Sequence, residues 1–260
     1  MSQLASWYRL HGRHDLVWRH TTDRWAVLVS EVMLAQTQVQ RVTAAWPGFM
    51  QHFPTVAVTA AHTPGDVIAA WGRLGYPRRA GRLWETAVIV NTHGWPNDYR
   101  ALPGVGSYTA GALAAQIDND PNAIGIDVNI RRVVQRATGS ILSDSMARQH
   151  AAEIAAPLVG RDRLLALMDL GASLCTPRNP QCANCPLRQR CNARGPLEHE
   201  RPPKQRPYKG SLRERRGVIL ADLRARDHAQ AGDYDAEIVR SLLTDRLISE
   251  SEGVLTLALD

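Results

Sequence analysis

From about Thr22 to Leu174 the chain repeats one signal with little interruption, apolar residues spaced three and four apart. "WAVLVSEVMLAQTQVQRVTAAW", "PGDVIAAWGRLG", "AGRLWETAVIVNTHG" and "RLLALMDLGASLC" each lay a hydrophobic stripe along one side of a 3.6-residue turn. The strict alternation of a half-buried strand is hardly visible, and the breakers "TPGD", "HGWPND", "LPGVG" and "DNDPNA" fall at intervals suited to short helix-to-helix connections. The period therefore predicts an all-α body. After Cys191 the pattern stops: "NARGPLEHERPPKQRPYKG" is rich in proline and charge without an apolar period, which predicts an extended linker over 195–211. Beyond it, "RRGVILADLRA" and "DAEIVRSLLTDRLI" read as two helices, and "GVLTLALD" after "SESE" as a hairpin, together a small winged-helix-like unit over 212–260. So short a unit has a thin core and is expected to dock on the body; a solvated tail with residual helix is the alternative.

A chain of 260 residues with 44% apolar and 22% charged residues can bury a real core. Apolar runs such as "GALAA" and "AIGI" end well short of the roughly 20 residues of a membrane span, and the N-terminus has no apolar signal region, so a cytoplasmic protein without a membrane partner is expected. The net charge is +6, and the basic side chains are nearly all arginine, with lysine only at Lys204 and Lys209. Arginine's planar fork suits phosphate recognition, although GC-rich coding produces the same bias.

All four cysteines, Cys175, Cys182, Cys185 and Cys191, lie within one 17-residue stretch. This is metal-site usage. One close pair flanked by two outlying thiols differs from the two close pairs usual for structural zinc, and four thiolates also suit a [4Fe–4S] cluster, so on spacing alone both remain open. None of the nine histidines forms a close metal-ligand pair. In "LPGVGSYT", Gly104 and Gly106 permit close backbone approach and Ser107 is placed to cap the following helix. Outward N–H groups at such a corner suit a phosphate oxygen; a simple chain-reversing αα-corner has the same composition. Glu31, inside the apolar "VLVSEVML", has a pKa expected to rise on burial, although a lone Glu on such a helix is more often partly exposed or paired; Asp127 before "NIRRVV" reads first as a helix N-cap.

"LPGVGSYTAGAL", followed by Asp127 in "GIDVNIRRVV", resembles the helix-hairpin-helix DNA glycosylases of the endonuclease III superfamily. The resemblance runs from about Leu16 to Asn192 and includes "VWR", "SEVMLAQTQV", "WGRLGYPRRA" and "MDLGASLC"; taken together these look like the MutY-type adenine glycosylases. It implies a [4Fe–4S] cluster on the four cysteines, and double-stranded DNA with a mismatch or oxidised base as partner. It implies Glu31 as the acid that protonates adenine N7, Asp127 as the group that stabilises the sugar cation, and Asn129 as an orienting residue. Tyr108 stands where the lyase branch carries a catalytic lysine. Gln36 and Thr37 match the loop that probes the partner base, Leu74 and Tyr76 the wedge inserted beside it, and Trp18 and Arg19 the base pocket.

A β-elimination lyase needs an amine, and no lysine precedes Lys204, so base release without strand cleavage is expected. Two departures stand out: Ala35-Gln36 replaces the paired glutamines of many relatives, and Leu165 replaces a Glu or Gln facing the adenine. They keep a thymine or uracil mismatch glycosylase in view, and a non-catalytic iron–sulfur DNA-binding module is a third reading. The expected organisation is a cluster lobe (1–23 and 127–194), a helical lobe with the hairpin (24–126), the linker and the C-terminal unit. DNA is expected to lie across the groove between the lobes of a monomer acting at the bacterial nucleoid.

Overall fold

The computed structural model describes residues 2–198, 200 and 207–259. Its helices in chain order are α1 (Gln3–His11), α2 (Arg24–Leu34), α3 (Val39–His52), α4 (Val56–Ala60), α5 (Pro64–Trp71), α6 (Arg78–His93), α7 (Ser107–Gln116), α8 (Val128–Thr138), α9 (Asp144–Ala155), α10 (Gly160–Ser173), α11 (Leu212–Arg226) and α12 (Ala236–Thr244). Three short strands, β1 (Ala229–Gln230), β2 (Ile248–Ser251) and β3 (Val254–Leu257), form an antiparallel sheet in the order β1-β3-β2, with Ala229 opposite Leu255 and Ile248 opposite Leu257. The fold is therefore helical with a small C-terminal sheet. No helix among the described residues is long and apolar enough to cross a membrane.

Contacts divide the chain into two compact units, Met1–Val27 with Val105–Lys204, and Leu28–Gly104 with Gln205–Asp260. In the first, α10 is the central element, packed by α1, α7, α8 and α9. Leu164, Leu167 and Leu170 of α10 meet Ile130, Val133 and Val134 of α8, while Ala147, Ala151 and Ala155 let α9 approach. Residues 105–126, expected with the helical lobe, pack in this unit because Ala112 and Ala115 put α7 into the same core.

In the second unit α6 packs on α4 and α5, and α5 packs on β3. Val67, Ile68 and Trp71 fill the inner side of α5, which opens with a reciprocal capping box between Thr63 and Asp66. The run from Trp25 to Trp46 does not continue as one helix: Gln36 takes a left-handed φ of +58°, and α2 and α3 separate around it. The C-terminal residues form the two expected helices and hairpin, with β1 as an added strand. Ile219, Leu223, Leu242 and Leu255 give this part its own buried centre, and Gly65 N–H donates to the Ala258 carbonyl at 2.7 Å. Of the expected linker over 195–211, residues 199 and 201–206, Lys204 among them, lie outside the described residues.

Candidate active site and cluster loop

Asp127 is the N-cap of α8, as its sequence context allows, and its two oxygens have separate partners. Oδ1 accepts from the Ile130 N–H at 2.7 Å, and Oδ2 accepts from the Asn129 side-chain amide at 2.8 Å. Burial raises the Asp127 carboxyl above its ordinary pKa, against the opposing pull of those hydrogen bonds and of the Arg132 charge. Arg132 continues the network: it donates to Asn129 Oδ1 at 2.8 Å, to the Gly171 carbonyl at 2.7 Å and to the Cys175 carbonyl at 2.6 Å. Gly171 is required here, since a Cβ on it would lie 2.7 Å from Asn129 Cβ.

Tyr108, in the first turn of α7, is half-buried and donates to the Met168 sulfur at 3.7 Å. Its main chain and ring leave no room for a side chain on Gly125, whose Cβ would lie 2.4 Å from the Tyr108 carbonyl. The hairpin corner differs in detail from expectation. Gly106, in extended conformation, is the N-cap of α7, and Ser107 is already the first helical residue, so its hydroxyl does not cap. Only Gly104 needs glycine's freedom, with φ of +76°; a Cβ on Gly106 would meet nothing within 4 Å. The first-turn N–H groups of α7 thus have no side-chain cap at Gly106.

Glu31 lies on α2 in the second unit and is 5% exposed among Leu28, Val29 and Met33. The loop after α2 is tied to the loop after α5 by one residue absent from the sequence expectations, Arg79. Its guanidinium donates to the Val32 carbonyl at 2.6 Å, the Gly75 carbonyl at 3.0 Å and the Thr37 hydroxyl at 3.0 Å, and also to the Ala35 carbonyl. Thr37 in turn donates to the Leu74 carbonyl at 3.4 Å. Burial lowers the Arg79 pKa to about 10, which leaves it cationic at neutral pH. The predicted probe and wedge, Gln36-Thr37 and Leu74-Tyr76, are therefore neighbouring loops on a shared cation. Gln36 is exposed, Leu74 is buried and Tyr76 is half-buried.

Arg19, expected at the base pocket, is held by a buried carboxylate. It makes a bidentate pair with fully buried Asp169, at 2.7 and 2.8 Å, and Arg13 binds the same carboxylate at 2.6 Å. Burial pushes Asp169 upward, but the hydrogen bonds and charges of Arg19 and Arg13 outweigh it and hold the carboxyl below its ordinary pKa. Trp18 beside it is 3% exposed, in the core. Leu165 is also a core residue, 4% exposed within the hydrophobic cluster of its unit, which accounts for its apolar character.

The four thiols line one cavity of about 30 Å³, together with Arg136, Leu174 and Arg188. Among the described residues no three His, Cys, Asp or Glu side chains are arranged to hold a single metal ion. Four thiols around a shared space provide the four thiolate ligands that a [4Fe–4S] cluster takes. Arg136, 2% exposed, ties the loop to α8 by donating to the Thr176 and Pro177 carbonyls at 2.7 and 2.9 Å, to Cys175 Sγ at 3.5 Å and to Glu200. Of the loop arginines, Arg188 and Arg194 reach the cavity wall. Arg132 and Arg136 escaped the sequence reading because arginines four apart on an amphipathic helix look like a solvated edge; the clue was their place within the apolar "IRRVVQRA".

A family model described as HhH-GPD superfamily base excision DNA repair protein matches residues 29–157, and the iron–sulfur binding domain of endonuclease III matches residues 175–191. The adenine DNA glycosylase of Mycobacterium tuberculosis (strain ATCC 25618 / H37Rv) is 42% identical, over 94% of this chain and 84% of its own length. The chain belongs to the adenine DNA glycosylase family. Another relative in this family, from Mycolicibacterium smegmatis, is 40% identical over 85% of this chain and 79% of its own, and the human one is 37% identical over 76% and 40%. Among solved structures, a thermostable thymine-DNA glycosylase aligns with a TM-score of 0.65 at 26% identity, covering 74% of this chain and 93% of its own. A non-covalent endonuclease III–DNA complex aligns with a TM-score of 0.62 at 20% identity, covering 74% and 92%, and shares the fold. The family member described here carries the [4Fe–4S] loop, and its donor set fits that cofactor.

Proposed function

We propose that this chain is a monofunctional DNA glycosylase, which hydrolyses the N-glycosidic bond of adenine mispaired with 8-oxoguanine or guanine and leaves an abasic site in duplex DNA. The observation that carries this reading is the 42% identity to an adenine DNA glycosylase over 94% of the chain. In this reading Glu31, kept in an apolar stretch of α2, delivers a proton to adenine N7 so that the base leaves neutral. The Asp127 carboxylate offsets the positive charge that develops on the sugar, with Asn129 holding Oδ2 in place. Water then completes the hydrolysis. Tyr108 occupies the lyase-lysine position without an amine, so no Schiff base forms there.

Extrusion of the nucleotide falls to Leu74 and Tyr76 as the wedge, with Gln36 and Thr37 at the partner base. Gly104, Gly106 and Ser107 bring backbone N–H groups to a phosphate, where the open space at Gly106 permits close approach. Cys175, Cys182, Cys185 and Cys191 hold the cluster, which when bound supplies a structural cross-link and local charge rather than a step in base release. The reading also includes a monomer, a cytoplasmic place of action on nucleoid DNA, and a catalytic body over 1–194 joined by the linker 195–211 to the unit over 212–260.

Excision on duplexes holding A:8-oxoguanine, A:G, T:G and U:G, with base release and strand nicking scored separately, tests it. Adenine release without nicking is expected. Thymine release, the activity named for the 26%-identical thymine-DNA glycosylase neighbour, or uracil release would replace the reading, as would binding with no release. Glu31→Gln is expected to abolish single-turnover release.

A further inference from the structure

The unit after the linker is clamped to residues 28–104 rather than merely tethered. Asp245, at the end of α12, is shared between Arg216 of α11 at 2.5 Å and Arg78 of α6 at 3.4 Å. At another point, Gly65 of α5 meets the chain after β3 so closely that a Cβ would lie 2.5 Å from the Ala258 carbonyl. A further contact falls on the loop between α5 and α6: Arg213, in the first turn of α11, donates from Nη1 to the Tyr76 hydroxyl at 3.4 Å. Tyr76 holds a left-handed φ of +49°, which a bulky aromatic residue keeps only when its surroundings fix it. Those surroundings include Arg79, whose guanidinium lies 5.3 Å from the centroids of both the Tyr76 and Trp71 rings. The ring is thus bound at its face by the body and at its hydroxyl by the C-terminal unit.

We propose that the C-terminal unit braces the DNA-inserting loop, and that Arg213 is the positioning residue that fixes the Tyr76 ring for insertion. The proposal rests on the reading of Leu74 and Tyr76 as the wedge. A ring ordered in advance loses less side-chain freedom when it enters the base stack, so bracing favours extrusion of the nucleotide without any contact between Arg213 and the excised base. Asp245 and Ala258 supply the rigid footing from which α11 can act on the loop.

A double-mutant cycle in the full-length, cluster-loaded protein tests this. Arg213→Met and Tyr76→Phe are measured singly and together on an A:8-oxoguanine duplex carrying 2-aminopurine beside the target adenine. The readouts are fluorescence of base unstacking, single-turnover excision and thermal melting. Each single variant is expected to lower unstacking and excision about three- to tenfold, and the double variant no further than either alone. Arg213→Lys is expected to recover part of the loss, and melting temperatures to stay within about 2 °C. Wild-type unstacking in Arg213→Met, or multiplying effects in the double variant, would overturn the brace. A lower melting temperature with normal unstacking would reduce Arg213 to a structural contact and overturn it too. Leu74→Ala and Tyr76→Ala separate the two levels. If they leave unstacking unchanged, the wedge reading falls and the brace with it; if they abolish unstacking while Arg213→Met does not alter it, the brace falls alone.

Discussion

Asp127 serves two demands with two oxygens, since Oδ1 caps α8 and Oδ2 is held by Asn129. Burial raises its pKa, so the folded state binds the proton more tightly than the unfolded chain does. Its contribution to stability therefore falls as pH rises through the window from the ordinary carboxylate value to the raised one. Asparagine caps helices as well as aspartate, so Asp127→Asn is expected to keep or raise the melting temperature at neutral pH while lowering excision at least about 100-fold. Melting and single-turnover rates across pH check both halves. Asp169 has the opposite sign: its pKa is lowered, so its stabilising effect is present above the unfolded value and is lost as pH falls through the folded one. Asp169→Asn, which leaves Arg13 and Arg19 facing a neutral amide, is expected to cost roughly 3–5 kcal/mol near neutrality and to flatten acid unfolding, as read by denaturant titration. The two hairpin glycines separate folding from binding. Gly104→Ala places a Cβ at positive φ and 2.9 Å from Arg82 Cδ, and is expected to cost about 1–2 kcal/mol. Gly106→Ala is expected to leave stability within about 0.5 kcal/mol and to weaken duplex binding, because its Cβ would fill the space assigned to a phosphate.

At the scale of elements, α8 joins the candidate catalytic carboxylate to the cluster loop. Arg132 spans from Asn129 to the Cys175 carbonyl, and Arg136 one turn later holds the carbonyls of Thr176 and Pro177. Both arginines are buried, and each donates directly to main-chain carbonyls. Arg132→Met removes a donor from three main-chain carbonyls and the Asn129 side chain, so a loss of about 1–3 kcal/mol is expected. The same variant is expected to slow single-turnover excision with duplex affinity unchanged, because Asn129 loses the group that orients it. The break between α2 and α3 is likewise made by tertiary structure. Local sequence favours one continuous helical run there, and the Arg79 hydrogen bonds to carbonyls 32, 33 and 35 capture the end of α2 instead.

At the scale of the molecule, the four thiols close a loop around one cavity, and that loop is fastened to α8 by hydrogen bonds that include Arg136 to the Thr176 carbonyl and Cys191 Sγ to the Arg136 carbonyl. Cys182→Ala is expected to remove iron and the visible absorbance of the cluster, and to lower the melting temperature by roughly 5–10 °C for about 2–3 kcal/mol lost. Sequence by itself determined the helical class, the breakers and the cysteine loop, because periodicity, turn chemistry and cysteine spacing are local properties of the chain; the roles proposed for Glu31, Asp127 and Tyr108 rest on family resemblance instead. Sequence also placed the small C-terminal helices and hairpin. It could not place Arg79, Arg132, Asp169 or Arg213, whose partners stand from 3 to 156 residues away and whose charges read locally as solvated. Nor could it show that Arg19 pairs with Asp169, that Leu165 is core, or that 105–126 pack in the same unit as the cluster loop. Only the tertiary structure decided these, since burial forces a charged side chain to find an opposite charge or a carbonyl wherever the fold brings one within reach.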